Sequence, residues 1–134
     1  MKVCIKNNNS ITLEQSKVVK DFVSMIQSEL PLTNNVNINF VPERDVKMTT
    51  GVRFPKGKIF VLSGNRLLID ILRTLAHEWV HEYQHQKMGL KDDQKIQNIG
   101  GPEENMANIL SGIFVKQFEN QYPNHSKLLY GEHE

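Results

Sequence analysis

Residues 70–85 read D-I-L-R-T-L-A-H-E-W-V-H-E-Y-Q-H, and the helix they predict organises the rest of the chain. Projected at about 100° per residue, Leu68, Leu75 and Trp79 share one side, while Leu72, Ala76, Val80 and Tyr83 cover the next sector. A helix apolar over so wide an arc is largely buried. It is predicted from Arg66 to Met88, with the Ser63-Gly64-Asn65 turn and a capping residue before it and Gly89 suited to a left-handed stop. Two histidines and a glutamate inside such a segment are costly to bury without partners. His77 and His81 lie one turn apart, so their rings can converge on one tetrahedral metal ion, and zinc suits that geometry. Glu78 then stands beside the ion without ligating it, placed to act as general base on a water.

A catalytic zinc typically has three protein ligands and one open position. His85 is eight residues from His77, about 12 Å along the helix axis, and cannot join both motif histidines on one ion; an exposed or capping role is expected for it. The metzincin spacing, with glycine three residues after His81 and histidine three further, is broken by Gln84 and Lys87. A second strong helix is predicted from Pro102 to about Gln121, opened by a first-turn proline and two acidic residues and closed before Pro123. Within G-G-P-E-E-N-M-A-N-I-L-S-G (100–112), Glu104, Asn108 and Ser111 fall on one face. Met106, Leu110, Ile113, Phe114 and Phe118 are expected to form the core face. The small Ala107 and Ser111 would let this helix approach the first closely enough for Glu104 to reach the metal. Asn108, one turn on, could accept a hydrogen bond from a ligand histidine. Glu103 is the rival third ligand, and His125 stands behind it.

Towards the N-terminus a short first strand ends in the N-N-N-S turn at 7–10. Thr12 and Gln15 resemble a capping box, and Val18, Val19, Phe22, Val23, Ile26 and Leu30 recur at helical spacing up to Pro31. Val36, Ile38 and Phe40 alternate as in a half-buried strand that Pro42 interrupts, and further strands are expected over Lys47–Val52 and Lys58–Leu62. The last of these is expected at an exposed sheet edge where an extended peptide could pair; burial on both faces is the competing reading.

At 134 residues the chain has the size of one domain, and the mixture of strands and helices is α+β. Hydrophobic residues at 39% and charged residues at 23% describe a globular protein. Sixteen basic and 15 acidic residues leave a net charge of +1, too balanced for nucleic acid or an anionic membrane as main partner. Cys4 is the single cysteine, so no internal disulfide forms, and it is expected as a small buried hydrophobe. No apolar run has the length of a signal peptide or membrane span, and a cytoplasmic location is expected.

The pairing of H-E-W-V-H (77–81) with E-N-M-A-N (104–108) on the next helix resembles the gluzincins, thermolysin-like metallopeptidases whose third ligand is a glutamate, and especially their minimal single-domain members. D-I-L-R-T-L-A-H-E-W-V-H-E-Y-Q-H together with I-G-G-P-E-E-N-M-A-N-I-L-S-G (99–112) also resembles bacteriophage-encoded metallopeptidases, and the likeness covers roughly residues 47–121. The resemblance implies one zincin-like domain over 1–134. It implies a small mixed or antiparallel sheet packed on an N-terminal helix, the central motif helix and a glutamate-bearing helix after it. It further implies zinc on His77, His81 and Glu104, water activated by Glu78, ligand support from Asn108, and a peptide or protein substrate.

Two departures bear on activity. Thermolysin-like enzymes carry aspartate where this chain has Asn108, and they supply a tyrosine or histidine to the oxyanion, whereas neither type occurs between His85 and Glu104. Tyr122, His125 and Tyr130 are the C-terminal candidates for that task. A non-catalytic binding module that retains the metal is therefore the alternative to a peptidase. A purely structural zinc is disfavoured by Glu78, since a closed site gains little from a poised base.

Overall fold

The computed structural model describes residues 2–7, 9–44, 48–91 and 101–131. In chain order these form β1 (Val3–Lys6), α1 (Leu13–Glu29), β2 (Val36–Val41), β3 (Gly51–Phe54), β4 (Lys58–Leu62), α2 (Leu68–Lys87) and α3 (Pro102–Gln121), then a 3-10 turn (Pro123–His125) and the short α4 (Ser126–Leu129). The strands make one mixed sheet in the order β1-β2-β4-β3. β1, β2 and β4 are parallel, with Ile5 opposite Ile38 and Ile38 opposite Ile59, and β3 runs antiparallel to β4. The mixed α/β architecture expected from the sequence is present.

Alternation decides which face of the sheet is covered. Val36, Ile38, Phe40, Ile59 and Val61 are fully buried and join the apolar faces of the helices in a single core. Cys4 lies between inward-facing Val3 and Ile5 on β1, so the same period of two turns it outward. It is exposed, not the buried small residue expected.

Each helix is held by specific terminal or packing contacts. Thr12 and Gln15 complete both arms of the capping box: Thr12 Oγ1 accepts from Gln15 N at 3.1 Å, and Gln15 Oε1 accepts from Thr12 N at 2.9 Å. Helix α2 has no side-chain cap of the expected kind, since Leu67 occupies that position. Instead the Arg66 guanidinium reaches over its first turns, donating to Leu62 O, Asp70 O and Thr74 Oγ1 at 2.8, 3.1 and 2.9 Å. At the other end Gly89 adopts φ +80°, the left-handed stop expected of it. Trp79, fully buried, donates from Nε1 to Leu30 O at 2.9 Å and fixes the end of α1 against α2. Phe22 meets Phe118 edge to face at 5.2 Å, joining α1 to α3.

Three expectations are corrected here. β3 spans Gly51–Phe54, not Lys47–Val52: Met48 to Thr50 are not strand, and Lys47 lies outside the described residues. The turn at Pro55–Gly57 sets the hairpin register, pairing Phe54 with Lys58 and Gly51 with Val61, and so carries the strand downstream. β4 is an interior strand with β2 on one side and β3 on the other, so its backbone offers no free edge; among the described residues β3 ends the sheet. Finally, the core side of α3 is Ala107, Ser111, Phe114, Val115 and Phe118, while Ile113 is 52% exposed and Met106 and Leu110 are half-buried. The helix turns its small residues, not its largest apolar ones, towards α2.

No helix among the described residues is long and apolar enough to cross a membrane.

Candidate metal centre

Helix α2 places His77 and His81 on consecutive turns, and α3 brings Glu104 to them from its first turn. His77 Nε2 lies 2.9 Å from Glu104 Oε1, His81 Nε2 lies 3.1 Å from Glu104 Oε2, and the two imidazole Nε2 atoms are 3.1 Å apart. Close approach of the helices makes this possible. Ala107 is fully buried and Ser111 is 3% exposed, so no bulky side chain holds α3 away from α2. Bonds of about 2.1 Å at tetrahedral angles would set ligand atoms about 3.4 Å apart, so spreading the cluster by a few tenths of an ångström admits a zinc ion.

The protons available in the cluster favour the same reading. Burial first, and the neighbouring His81 next, lower the affinity of His77 for a second proton, against the opposing pull of Glu104 and of hydrogen bonds to Glu104 and Asn108. Each Nε2 offers a lone pair or a hydrogen according to its tautomer, and with both lone pairs turned inward the two rings and the carboxylate present three ligand groups to one point. A divalent cation bound by all three satisfies them together, and the two-imidazole, one-carboxylate donor set is that of an open zinc site.

Glu78 is 7% exposed and points towards the edge strand. Its pKa is raised from 4.5 to about 8, chiefly by desolvation and then by the Glu104 carboxylate. Gly51 of β3 is what allows so close an approach: a Cβ there would stand 2.5 Å from Thr74 Cγ2 and 3.2 Å from Glu78 Cγ. Two residues along, Arg53 Nε bonds Glu82 Oε1 at 2.7 Å, with both side chains almost fully buried. Glu82 Oε2 also accepts from Gln86 Nε2, and Gln86 Oε1 receives the backbone N–H groups of Thr33 and Asn34.

Of the residues singled out from the sequence, His77, His81 and Glu104 come together, with Glu78 beside them and Asn108 hydrogen-bonded to His77. Glu103 meets the site through its backbone carbonyl, and its side chain is not part of the cluster. His85, half-buried in the last turn of α2, is also outside it. The C-terminal candidates are engaged elsewhere. His125 Nε2 lies 3.0 Å from Asp21 Oδ2 of α1, with its ring stacked on Tyr122 at 5.5 Å, and Tyr130 donates its hydroxyl to Glu119. The Tyr130 phenol is accordingly held above its ordinary pKa.

Gln84 is the functional candidate that sequence reasoning overlooks. It enters the sequence only as the residue that breaks the metzincin spacing, yet it is fully buried and contacts His81. A glutamine one turn beyond a motif histidine, on a helix predicted to be largely buried, is the available signal.

No protein-family model matches the chain, and neither a curated protein nor a solved structure does.

Proposed function

We propose that the chain is a zinc-dependent metallopeptidase-like protein of the gluzincin kind, with zinc held by His77, His81 and Glu104 and with Glu78 as general base. The observation that carries this reading is the meeting of two imidazole nitrogens and the Glu104 carboxylate at 2.9–3.1 Å beside the buried Glu78. Zinc in that position would polarise the scissile carbonyl and make a water nucleophilic. Glu78 takes the water's proton and delivers it to the leaving amine. Burial suits Glu78 to that task, because a carboxyl that titrates near neutrality can both accept and release a proton there. Coordination of Glu104 would cancel the second cause of its raised pKa and return Glu78 towards the ionised form a base needs.

An extended peptide would add along β3, the strand that ends the sheet among the described residues and whose Gly51 lies against Glu78. The antiparallel end strand beside the motif helix supports a zincin-like arrangement of the sheet. One observation favours the second reading, a binding module that retains the metal without cutting. Tyr122, His125 and Tyr130 are committed to contacts outside the cluster, which leaves the oxyanion without a donor from the C-terminal segment.

Elemental analysis of the purified chain beside His77→Ala and Glu104→Ala tests the centre: one zinc per chain is expected, lost in both variants. Zinc retained without Glu104 would remove it as third ligand, and a chain that takes up no metal when zinc is offered would overturn the proposal. Glu78→Gln should keep the zinc and abolish peptide cleavage. Undiminished cleavage by that variant would refute the role given to Glu78, whereas zinc binding with no cleavage by any form of the chain supports the module.

A further inference from the structure

Gln84 touches both helices that build the cluster. Its Nε2 lies 2.9 Å from the backbone oxygen of Glu103, the residue before the third proposed ligand, and its Oε1 lies 2.9 Å from His81 Nδ1. These two distances determine where a proton sits. A carbonyl oxygen only accepts, so the amide nitrogen of Gln84 must face Glu103, and its amide oxygen is then turned to His81. That oxygen also only accepts, so His81 Nδ1 must be the nitrogen that carries hydrogen. A neutral imidazole has one N–H. In the neutral ring His81 Nε2 is then left with a bare lone pair, and it is this atom that stands 3.1 Å from both His77 Nε2 and Glu104 Oε2.

We propose that Gln84 is a positioning residue that locks His81 in the Nδ1–H tautomer and holds the first turn of α3 where Glu104 meets it. The role rests on reading the cluster as a metal centre. Burial gives a reason for an amide at this point. Gln84 is 0% exposed, and an apolar side chain of similar length would fill its space without any polar group to satisfy. What such a side chain could not do is choose between the two nitrogens of His81 or grip the Glu103 carbonyl. Asn108 accepts a hydrogen bond from His77 across from α3, so each motif histidine is braced by an amide, one from its own helix and one from the next.

The experiment uses the full chain with Gln84→Met, which keeps length and removes both hydrogen bonds, and Gln84→Glu, which keeps the acceptor for His81 but loses the donor to Glu103. Long-range 1H–15N spectra of the metal-free protein at about pH 8 report the His81 tautomer, and competition with a chromophoric chelator reports zinc affinity. The wild type should show His81 protonated at Nδ1. In Gln84→Met that preference should be lost and zinc should bind about 10- to 100-fold more weakly. Gln84→Glu should keep the tautomer and lie between the two in affinity. An Nε2–H tautomer in the wild type, or wild-type zinc affinity in Gln84→Met, would overturn the proposal. Should Gln84→Met not fold, the wild-type tautomer and the Gln84→Glu spectrum decide it. A chain that binds no zinc while His81 depends on Gln84 for its tautomer would sink the metal reading and uphold the assignment of Gln84 to His81.

Discussion

The sides of α2 that face β3 and α3 both carry buried polar groups, but among the described residues only the first has arginine as a partner. Towards β3, Thr74 receives the Arg66 guanidinium, and Glu82 receives Arg53 and Gln86. Each of those acceptors has a donor, and the network ties edge strand, helix and the 33–34 loop together. Towards α3, two imidazoles and the Glu104 carboxylate face one another, while the side-chain amides of Gln84 and Asn108 accept from the rings and brace the periphery. A buried carboxylate is costly without a positive partner, so a network closed by arginine reads as structure and a carboxylate facing two imidazoles reads as a place for an added cation. Glu78 stands at the border, on the stripe that faces β3 yet within the field of Glu104.

The largest expected effect lies at that border. Because the folded, metal-free chain raises the Glu78 pKa to about 8 from 4.5, it binds the proton more tightly than the unfolded chain does. Its stability should therefore fall as pH rises through the window from 4.5 to about 8 and level off above it. Glu78→Gln removes that slope. At about 1.4 kcal/mol per pKa unit the variant should exceed the metal-free wild type by on the order of 4 kcal/mol at pH 9 and match it at pH 4. Denaturant titrations of both chains across that range, with metal chelated, read the difference directly. Equal stabilities at pH 9 would mean that Glu78 is not desolvated as described. Zinc should flatten the wild-type curve, since a nearby cation favours the carboxylate.

On the closed side, Arg53→Met should leave Glu82 as an unpaired buried charge and lower stability by about 3 to 5 kcal/mol. Adding Glu82→Leu to it should recover much of that loss, because the fault is the stranded charge and not the missing attraction. Zinc stoichiometry should stay at one in both variants. A zinc site lost with Arg53 would show that the two sides of α2 are one network.

Local chemistry and short-range periodicity made much of this legible in the sequence. The capping box at Thr12, the alternation at Val36–Phe40, the stop at Gly89 and the bounds of α3 at Pro102 and Gln121 each depend on a few neighbouring residues. His77, Glu78 and His81 stand in fixed helical relation, so their grouping follows from spacing alone. What escaped depends on which elements meet. The position of β4 inside the sheet follows from a parallel pairing with β2, about 20 residues upstream, that β4's own five residues do not encode. On α3 the small Ala107 and Ser111 face inward as their size suggests and Phe114 and Phe118 are buried, but Ile113 lies outside because helical spacing alone does not say how far round the covered face extends. The Arg53–Glu82 pair joins residues 29 apart and no local pattern marks it, and the Gln84 contact with Glu103, 19 residues on, is equally silent although its place one turn beyond His81 is not.

The smallest expected effect serves as the reference for the others. Thr12→Ala removes one arm of the capping box on α1, an exposed contact that touches neither polar side of α2, and should cost about 1 kcal/mol in denaturant unfolding. Zinc affinity should not change. Ligand binding to the folded state is coupled to unfolding only when the unfolded fraction is appreciable, and a loss of this size leaves that fraction small. If Thr12→Ala nevertheless weakened zinc binding several-fold, the cluster would be sensitive to any loosening of the fold, and weaker binding in Gln84→Met would no longer indicate a local cause. If affinity holds while stability falls, the 2.9 Å contacts of Gln84 are what that variant tests, and the open and closed sides of α2 can be judged separately.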